Sequence, residues 1–434
     1  MSNFLYANDS RATYPSSWYA QSIGDTPPRM ALEQPVSCDV CIIGAGFTGL
    51  STALHLAQKG FSVTVLEAHR VGFGASGRNG GQMGSGLNHD QRKLEKTMGQ
   101  DAAHRLWEMT QDAKSLTRSM VTQFAPEAGY QPGIAEADFS PKDCDNSHAK
   151  AAHLEKNYGY GEMECLDISA ISDLIKSPRY AGGLIDWGAG HLHPLRYALG
   201  LARAAEAAGA TVYEDSPVLA VQEGSPNILQ TDRGQVKANY VVHATNGYHC
   251  SLNRKQAARV MPINNFLVAT APLEDPKSVL AQDIAVADNR FVLNYYRLSD
   301  DNRLIFGGGE SYGTKFPQDI FKKVRRPLTE IFPQLANIDL THAWGGTLGI
   351  TTTRLPMFAR VGHQQLTASG YSGHGVALAG FAGLVLAETI AGNATRFDLL
   401  SKLPGPAFPG GQVLRNPIMT LAMTWFSLRD KLGL

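Results

Sequence analysis

The chain has 434 residues, of which 43% are hydrophobic and 18% charged, and its 39 basic side chains equal its 39 acidic ones. That length suits two or three globular domains, and the balanced charge argues against a nucleic-acid or membrane-surface partner. The N-terminus has no basic segment followed by an apolar one, and the five cysteines are few and odd in number. We therefore expect a cytoplasmic protein in a reducing compartment.

Residues 36–68 have the pattern of a strand, a glycine turn, a helix and a second strand. In the turn, Gly44 permits a tight bend, Gly46 admits a pyrophosphate and Gly49 lets helix and strand pack closely. The helix N-terminus offers amides and a positive dipole to the phosphates, and Glu67 can accept hydrogen bonds from ribose hydroxyls. These features predict a dinucleotide site. The expected contacts are Gly44, Ala45, Gly46, Phe47, Thr48, Gly49, Glu67 and Ala68.

Cys38 and Cys41 form a C-x-x-C inside the first predicted strand. Alternation along a strand is expected to send residues three apart to opposite faces. We therefore interpret both as small core residues, and we predict no metal site.

A second glycine-rich segment, residues 74–82, follows directly and favours FAD over NAD. Its amides can reach a second phosphate or the polar edge of an isoalloxazine, and Arg78 can neutralise negative charge. Enzymes that reduce flavin with NAD(P)H in one chain usually carry a second strand-turn-helix unit with a G-x-G-x-x-G turn, and we identify no second unit of this kind. We therefore expect the substrate to reduce the flavin. The expected contacts are Gly74, Ala75, Ser76, Gly77, Arg78, Asn79, Gly80, Gly81 and Gln82.

The remaining elements predict a discontinuous nucleotide domain. Helical sequence is frequent in residues 91–189, whereas strand-like sequence dominates residues 260–309. Val218, Thr245 and Asn246 lie in or after further strands and join the predicted cofactor contacts. We assign residues 36–90, 190–260 and 340–400 to the FAD-binding domain, and residues 91–189 and 261–339 to a substrate domain.

Two apolar segments near the C-terminus are expected to pack on the protein itself. Residues 376–391 are shorter than a membrane span and contain Glu388, which favours a buried helix and no membrane span. Residues 404–434 are expected to form a turn-rich connector and a last helix.

Five segments resemble one known family, the γ-glutamylputrescine oxidoreductases of the FAD-dependent D-amino-acid oxidase superfamily. They are GFGASGRNGGQ (72–82), GHLHPL (190–195), YYRLSDDNRLIFGGG (295–309), YSGHGV (371–376) and the tail that begins at residue 408. The resemblance covers essentially the whole chain. It implies an α/β fold, in which a Rossmann-like FAD-binding domain of the glutathione-reductase type is joined to an antiparallel-sheet α+β substrate domain, as in D-amino-acid oxidase.

The same resemblance implies a reaction. A terminal amine would be oxidised to an imine, which water hydrolyses to the aldehyde and ammonia in putrescine breakdown. Oxygen is the implied electron acceptor, and the partner is a small-molecule amine substrate. The flavin is expected to be non-covalent, because no cysteine follows Cys250, where sarcosine oxidases place theirs, and the first glycine loop has no histidine.

The segment YSGHGV follows a predicted strand and precedes the apolar helix. In the superfamily that the chain resembles, the matching turn lies at the flavin pyrimidine ring, where amides stabilise the reduced, anionic flavin. His374 is as consistent with a structural turn as with a catalytic contact, and Tyr371 is expected to line the pocket. The expected cofactor contacts of the turn are Ser372, Gly373, Gly375 and Val376.

Two carboxylate-binding groups of related enzymes are missing. Sarcosine oxidases carry a lysine just after the turn, where this chain has Val-Ala-Leu (376–378). D-amino-acid and glycine oxidases carry an arginine soon after Trp-x-Gly, whereas this chain has none between Trp344 and Arg354. This favours a long substrate whose carboxylate lies far from the flavin. The expected substrate contacts are Tyr295, Arg297 and Trp344, although Arg297 is also consistent with a solvated strand residue.

Two other functions stay open at this point. One is oxidation of glycine, sarcosine or another small amino acid. The other is a flavin amine dehydrogenase that passes electrons to a partner, for which the apolar last helix is the only sign.

Overall fold

The computed structural model describes residues 4–248, 252–290 and 292–409, which form two β-sheets surrounded by helices. The strands in chain order are β1 (Val36–Ile43), β2 (Val63–Leu66), β3 (Gln82–Met83), β4 (Gln131–Asp138), β5 (Met163–Leu166), β6 (Gly182–His191), β7 (Thr211–Tyr213), β8 (Val218–Gln222), β9 (Asn227–Thr231), β10 (Gln235–His243), β11 (Met261–Thr270), β12 (Ala285–Asp288), β13 (Tyr295–Leu298), β14 (Leu304–Ser311), β15 (Leu340–Ile350), β16 (Met357–Gly362) and β17 (Gln365–Ser369).

The helices connect these strands and cover both sheets. They are α1 (Trp18–Ser22), α2 (Phe47–Ala57), α3 (Gln91–Met98), α4 (Gln100–Phe124), α5 (Pro141–Tyr158), α6 (Ile168–Leu174), α7 (Pro194–Ala207), α8 (Arg254–Arg259), α9 (Ile320–Ile331), α10 (Gly375–Ile390) and α11 (Thr395–Leu400). The predicted last helix, after residue 409, lies outside the described residues.

The first sheet contains the predicted nucleotide-binding unit. Its main order is β16-β17-β10-β1-β2-β7, with β9 beside β10 and β8 beside β9. β1 pairs in parallel with β10 and with β2, and β7 continues in parallel beyond β2. Parallel neighbours need a crossover, which α2 supplies between β1 and β2. The predicted strand, turn, helix and strand of residues 36–68 are confirmed.

The second sheet has the order β15-β11-β14-β13-β12-β4-β6-β3, with β5 beside β6. Its described pairs are antiparallel apart from β12 with β4. A parallel nucleotide-binding sheet next to a largely antiparallel one confirms the predicted fold class.

The second sheet crosses the predicted domain limits. β15 falls in the segment 340–400 that was expected in the FAD-binding domain, yet it pairs with β11 along its length. α4 falls in the expected substrate segment 91–189, yet it shares an apolar core with α2, α7 and α10. These assignments need correction, because local patterns show the type of an element but not which sheet it joins. The division into two domains stays a prediction.

Close helix packing keeps α10 inside the first core. Most of its side chains are buried, as expected for residues 376–391. A Cβ on Gly383 would lie 2.6 Å from the carbonyl oxygen of Thr48 in α2, so only glycine allows this approach. Across residues 4–248, 252–290 and 292–409, no helix is both long and apolar enough to cross a membrane.

The C-x-x-C of β1 departs from its expected geometry. Cys38 and Cys41 both pack against the same small apolar cluster, so the expectation of opposite faces is wrong. The amides of Asp39 and Val40 both donate to the carbonyl oxygen of Ser62, at 3.0 and 3.1 Å. Asp39 and Val40 therefore both lie opposite Ser62, which is the pattern of a β-bulge. The extra residue shifts the alternation of side chains by one position, so Cys41 points to the same face as Cys38.

Candidate active site

A large cavity lies between the two sheets. Its volume is about 1320 Å³, whereas typical small-molecule sites measure roughly 300–1,000 Å³, so it can hold a long ligand or two ligands. It begins at Gly44 and Glu67, at the carboxyl ends of β1 and β2, and reaches Glu136 and Asp186 on the second sheet. The carboxyl ends of parallel strands are where open α/β sheets bind ligands.

Most of the predicted site residues line this cavity. The predicted cofactor contacts on its wall are Gly44, Gly46, Phe47, Thr48, Glu67, Ala68, Gly74, Ala75, Ser76, Arg78, Asn79, Gly80, Gln82, Val218, Thr245, Asn246, Ser372, Gly373, Gly375 and Val376. Those that do not line it are Ala45, Gly49, Gly77 and Gly81. Among the other predicted residues, the wall includes Tyr295, Tyr371 and His374 but not Arg297 or Trp344.

The first glycine turn folds tightly on itself. Gly44 has a φ of +106°, in the region that favours glycine. A Cβ on Gly49 would lie only 1.9 Å from the carbonyl oxygen of Gly44. The cap residue of α2, Gly46, supplies no side-chain cap, so the first-turn amides depend on other partners. A helix N-terminus on a cavity wall, with no side-chain cap from its own N-cap residue, suits a phosphate.

Glu67 directly follows β2 and is 8% exposed. Its Oε2 accepts a hydrogen bond from the Ala45 amide at 2.8 Å, and its Oε1 accepts one from the His69 amide at 2.9 Å. Burial raises the pKa of this carboxyl to about 7. The two oxygens retain lone pairs for further donors, as the predicted ribose contact requires.

Polar side chains hold the second glycine loop in shape. Ser76 Oγ accepts a hydrogen bond from the Phe47 amide at 3.0 Å, which joins this loop to the first turn. Asn79 donates to the carbonyl oxygens of Ala75 and Ser76 and accepts from the Gly81 amide. The two glycine loops therefore form one continuous surface.

Arg78 is buried under this loop and is already paired. Its guanidinium donates to the carbonyl oxygens of Phe73 at 2.6 Å and Gly345 at 2.9 Å, and to the Asp9 carboxylate at 3.1 Å. These bonds tie the loop to β15 and to the N-terminal segment. The predicted neutralisation of cofactor charge stays a prediction, since Asp9 already balances the guanidinium.

The second turn, residues 372–375, leads into α10. Ser372 and Gly373 have φ values of +53° and +88°, and the helix begins without a side-chain cap. His374 lies against the loop at Gly84, where a Cβ would be 2.5 Å from His374 Cε1. Burial lowers the pKa of His374, which keeps the imidazole neutral. Its Nε2 is buried and has no hydrogen-bond partner within the described ranges.

Tyr371 joins this turn to the nucleotide-binding helix. Its hydroxyl lies 2.7 Å from Thr48 Oγ1 and donates to the carbonyl oxygen of Ala368 at 3.3 Å. Burial raises the pKa of the phenol, so it stays neutral. These contacts favour a positioning role, and the catalytic role stays a prediction.

Tyr295 and Asn265 meet at the centre of the second sheet. The Tyr295 hydroxyl donates to Asn265 Oδ1. The Tyr295 ring also borders the second glycine loop, where a Cβ on Gly80 would lie 2.7 Å from its Cδ2. Asn265 was not predicted, although two asparagines inside the apolar strand β11 were an available signal.

Arg297 and Trp344 support the second glycine loop instead of lining the cavity. Arg297 donates to the carbonyl oxygen of Gly80 at 2.8 Å and to the Tyr19 hydroxyl at 3.3 Å. Trp344 Nε1 donates to the carbonyl oxygen of Arg78 at 3.0 Å. The expectation that both contact the substrate needs correction, because the loop and Tyr19 occupy the space beside them.

Several charged groups near the cavity were not predicted. Lys114, 2% exposed, donates to Ser85 Oγ at 2.6 Å and to the Tyr160 hydroxyl at 2.8 Å, and burial lowers its pKa to about 8. Arg354 also lines the cavity, and its charge acts on Glu310, whose pKa burial raises. Lys114 stands at a buried position of α4, which was an available signal, whereas Arg354 lies in the loop after β15 and offered none.

The donors around the cavity fit a flavin dinucleotide. The first turns of α2 and α10 and the two glycine loops line it, and the buried imidazole of His374 has one nitrogen without a partner among the described residues. A cavity that runs from a Rossmann-like sheet to an antiparallel sheet also leaves room for a second ligand beyond the dinucleotide. Fold and site together define a flavin-dependent oxidoreductase.

Comparison with known proteins assigns the chain to a family within this class. The family described as FAD dependent oxidoreductase matches residues 39–389, so the chain belongs to that family and FAD is its cofactor. The gamma-glutamylputrescine oxidoreductase of Escherichia coli (strain K12) is 39% identical over 421 residues, which cover 96% of this chain and 99% of that protein. The probable oxidoreductase OrdL of Rhizobium meliloti (strain 1021) is 39% identical over 419 residues, with 96% and 97% covered.

A solved structure supports the same fold. Glycine oxidase from Geobacillus kaustophilus superposes with a TM-score of 0.72 at 20% identity, covering 85% of this chain and all of that one. The predicted resemblance, the FAD cofactor and the class of FAD-dependent amine oxidoreductase are confirmed.

Proposed function

We propose that the enzyme oxidises the terminal amine of γ-glutamylputrescine, or of a closely related γ-glutamylpolyamine. The neutral amine loses two electrons and two protons to become an imine, and water converts the imine to the aldehyde with release of ammonia. The two glycine loops and the first turns of α2 and α10 would hold FAD, which when bound would supply the acceptor for the hydride equivalent from the carbon that carries the amine. Oxygen then takes the two electrons and two protons and becomes hydrogen peroxide. The flavin is held without a covalent bond.

The observation that carries this proposal is the charge of the second-sheet wall. Its described strands contribute the carboxyl groups Glu136, Asp186, Asp288 and Glu310 to the cavity and no lysine or arginine, and Lys150 of the neighbouring helix pairs with Glu136 alone. Carboxylates attract a cationic amine and repel a small substrate that carries its own carboxylate beside the reacting carbon. This charge pattern agrees with the near full-length similarity to a γ-glutamylputrescine oxidoreductase.

The chain's own residues would position the amine. Tyr295 and Asn265 present a hydroxyl and an amide where the second glycine loop meets the sheet. Tyr371 and Thr48 hold the two turns together on the opposite side. Positioning of this kind supplies most of what hydride transfer from an amine requires of a protein.

A second candidate is the oxidation of glycine, sarcosine or another small amino acid. Arg354 favours it, because this guanidinium lines the cavity and can pair with a carboxylate. The carboxylate of Glu310 already interacts with the Arg354 guanidinium and would compete with a substrate carboxylate for it. This function is therefore the second candidate.

Anaerobic mixing of the purified holoenzyme with each candidate amine tests the proposal. γ-Glutamylputrescine should bleach the oxidised flavin band, and glycine and sarcosine should not. The opposite pattern would overturn the proposal and favour the second candidate. The same reaction in air should form one peroxide per aldehyde. Flavin reduction without peroxide would instead identify a dehydrogenase that needs another acceptor.

A further inference from the structure

An ion pair opens into the cavity beyond Tyr295. Lys150 of α5 and Glu136 of β4 both line the cavity, with Nζ and Oε2 2.6 Å apart and side chains 29% and 35% exposed. Asn146, one helical turn before Lys150, lines the same region. Both side chains are only half-buried, so they remain accessible to a ligand in the cavity.

Strand register gives the distance between this pair and Tyr295. Glu136 lies opposite Ala287 in β12, and Ala287 lies opposite Tyr295 in β13. The two residues therefore occupy one cross-strand row, two strands apart, which separates their Cα atoms by about 10 Å at roughly 4.8 Å per strand. Because residues of one row point to the same face, both side chains reach the same cavity.

That distance matches the length of a γ-glutamylated diamine. About eight bonds join the oxidised carbon of γ-glutamylputrescine to its α-carbon, and an extended chain covers roughly 3.3–3.6 Å per three bonds, or about 9–10 Å in total. A substrate whose reacting carbon lies over β13 at the row position of Tyr295 is therefore long enough to bring its amino-acid head group to the row position of Glu136 in β4.

We infer that Lys150 and Glu136 bind the α-amino-acid head group of the γ-glutamyl moiety, an inference that rests on the proposed function. The head group carries a carboxylate and an ammonium on one carbon. Lys150 pairs with the carboxylate and Glu136 pairs with the ammonium, so that the four charges alternate in sign. Free putrescine offers neither the carboxylate nor this match, and its second ammonium is repelled by Lys150. The pair thereby selects γ-glutamylated amines.

This subsite replaces the one expected at Arg297. The guanidinium of Arg297 is committed to Gly80 and Tyr19 and does not line the cavity. Lys93 of α3 also lines the cavity, but its side chain is exposed. Lys150 is distinguished from Lys93 by the carboxylate beside it, which a zwitterionic head group requires.

The test compares two substrates on the holoenzyme. γ-Aminobutyrylputrescine lacks only the α-carboxylate of γ-glutamylputrescine and keeps its ammonium on the same carbon. The wild-type enzyme should have a KM for γ-glutamylputrescine about 10–100-fold lower, as expected for one charge-assisted contact. Lys150→Met should remove this preference by raising the KM for γ-glutamylputrescine, while kcat and the KM for the analogue stay within about twofold. A purely structural loss would affect both substrates.

Control variants separate the possible outcomes. Lys156→Met, on the exposed end of the same helix, should retain the full preference. Glu136→Gln should remove the preference over N-glutarylputrescine, which lacks the α-ammonium. FAD content and reduction by the analogue report whether each variant folds, and Lys150→Gln provides a polar replacement if Lys150→Met loses FAD.

Failure of the inference differs from failure of the proposed function. If γ-glutamylputrescine does not reduce the wild-type flavin, the proposed function fails. If it does, but Lys150→Met and Lys150→Gln keep the wild-type preference, the head group binds elsewhere and the inference is overturned. Loss of the preference in Lys93→Met instead would overturn it as well, because the head group would then lie at α3.

Discussion

Gly49→Ala should abolish tight FAD binding. A Cβ at this position would lie 1.9 Å from the carbonyl oxygen of Gly44 and 3.2 Å from Ile42 Cγ2, whereas ordinary contacts begin near 3.4 Å. The Gly44 backbone must therefore move by about 1.5 Å. It moves in preference to β1 and α2, because both elements are buried in the first core.

The expected loss of FAD affinity in Gly49→Ala follows from two free-energy costs. Overpacking of a buried site costs about 1–3 kcal/mol. Each charge-assisted bond to a phosphate that the displaced turn loses costs about 1.5–3 kcal/mol more. The affinity for FAD should therefore fall at least about 100-fold, and the apoprotein should unfold a few degrees below the wild type.

Titration of FAD into the apoprotein, followed by flavin fluorescence, measures this affinity, and thermal unfolding measures the cost to the fold. Gly161→Ala is the matched control, because its Cβ would have no heavy atom within 4 Å and its φ is not positive. If Gly49→Ala bound FAD within about threefold of the wild type, the close approach of Gly49 to Gly44 would not shape the phosphate turn.

Three further predictions concern buried groups. Burial raises the pKa of Glu67 to about 7, and ribose hydroxyls bind its ionised form, so FAD affinity should rise with pH up to about 7 and then level off. FAD titration should show this rise in the wild type and not in Glu67→Gln. Burial lowers the pKa of Lys114 from 10.5 to about 8, so the unfolded chain binds more protons between these values. The free energy of unfolding in urea should therefore rise with pH in that window, and Lys114→Met should flatten the rise. Gly383→Ala should force α10 away from α2 and cost about 1–3 kcal/mol in the same assay.

Each of these predictions has a distinct contrary result. A wild-type FAD affinity that does not change with pH would show that Glu67 is ionised throughout. Parallel pH profiles for the wild type and Lys114→Met would show that this amine does not titrate in the window. For Gly383→Ala, stability equal to that of Gly405→Ala, whose Cβ would meet no atom of the described residues within 4 Å, would show that the two helices can separate without cost.

The sequence by itself determined the nucleotide-binding end of the protein. Gly44, Gly46, Gly49 and Glu67 belong to one strand-turn-helix-strand unit, so their spacing along the chain translates directly into geometry. The buried helix α10 was predicted equally well, because a continuous run of apolar residues can be recognised from neighbouring positions in the sequence. The resemblance over the whole chain added the family and the flavin, which the comparisons confirm.

Only the tertiary structure showed which residues come together at the substrate end of the cavity. Asn265 and Tyr295 meet across β11 and β13, and Lys150 meets Glu136 across a helix and a strand, although nothing local in the sequence links either pair. Alternation correctly placed Tyr295 and Arg297 on one side of β13. Arg297 is nevertheless excluded from the cavity because the second glycine loop and Tyr19 cover it. A local pattern sets the face to which a side chain points, and the segment that packs against that face depends on contacts between distant parts of the chain.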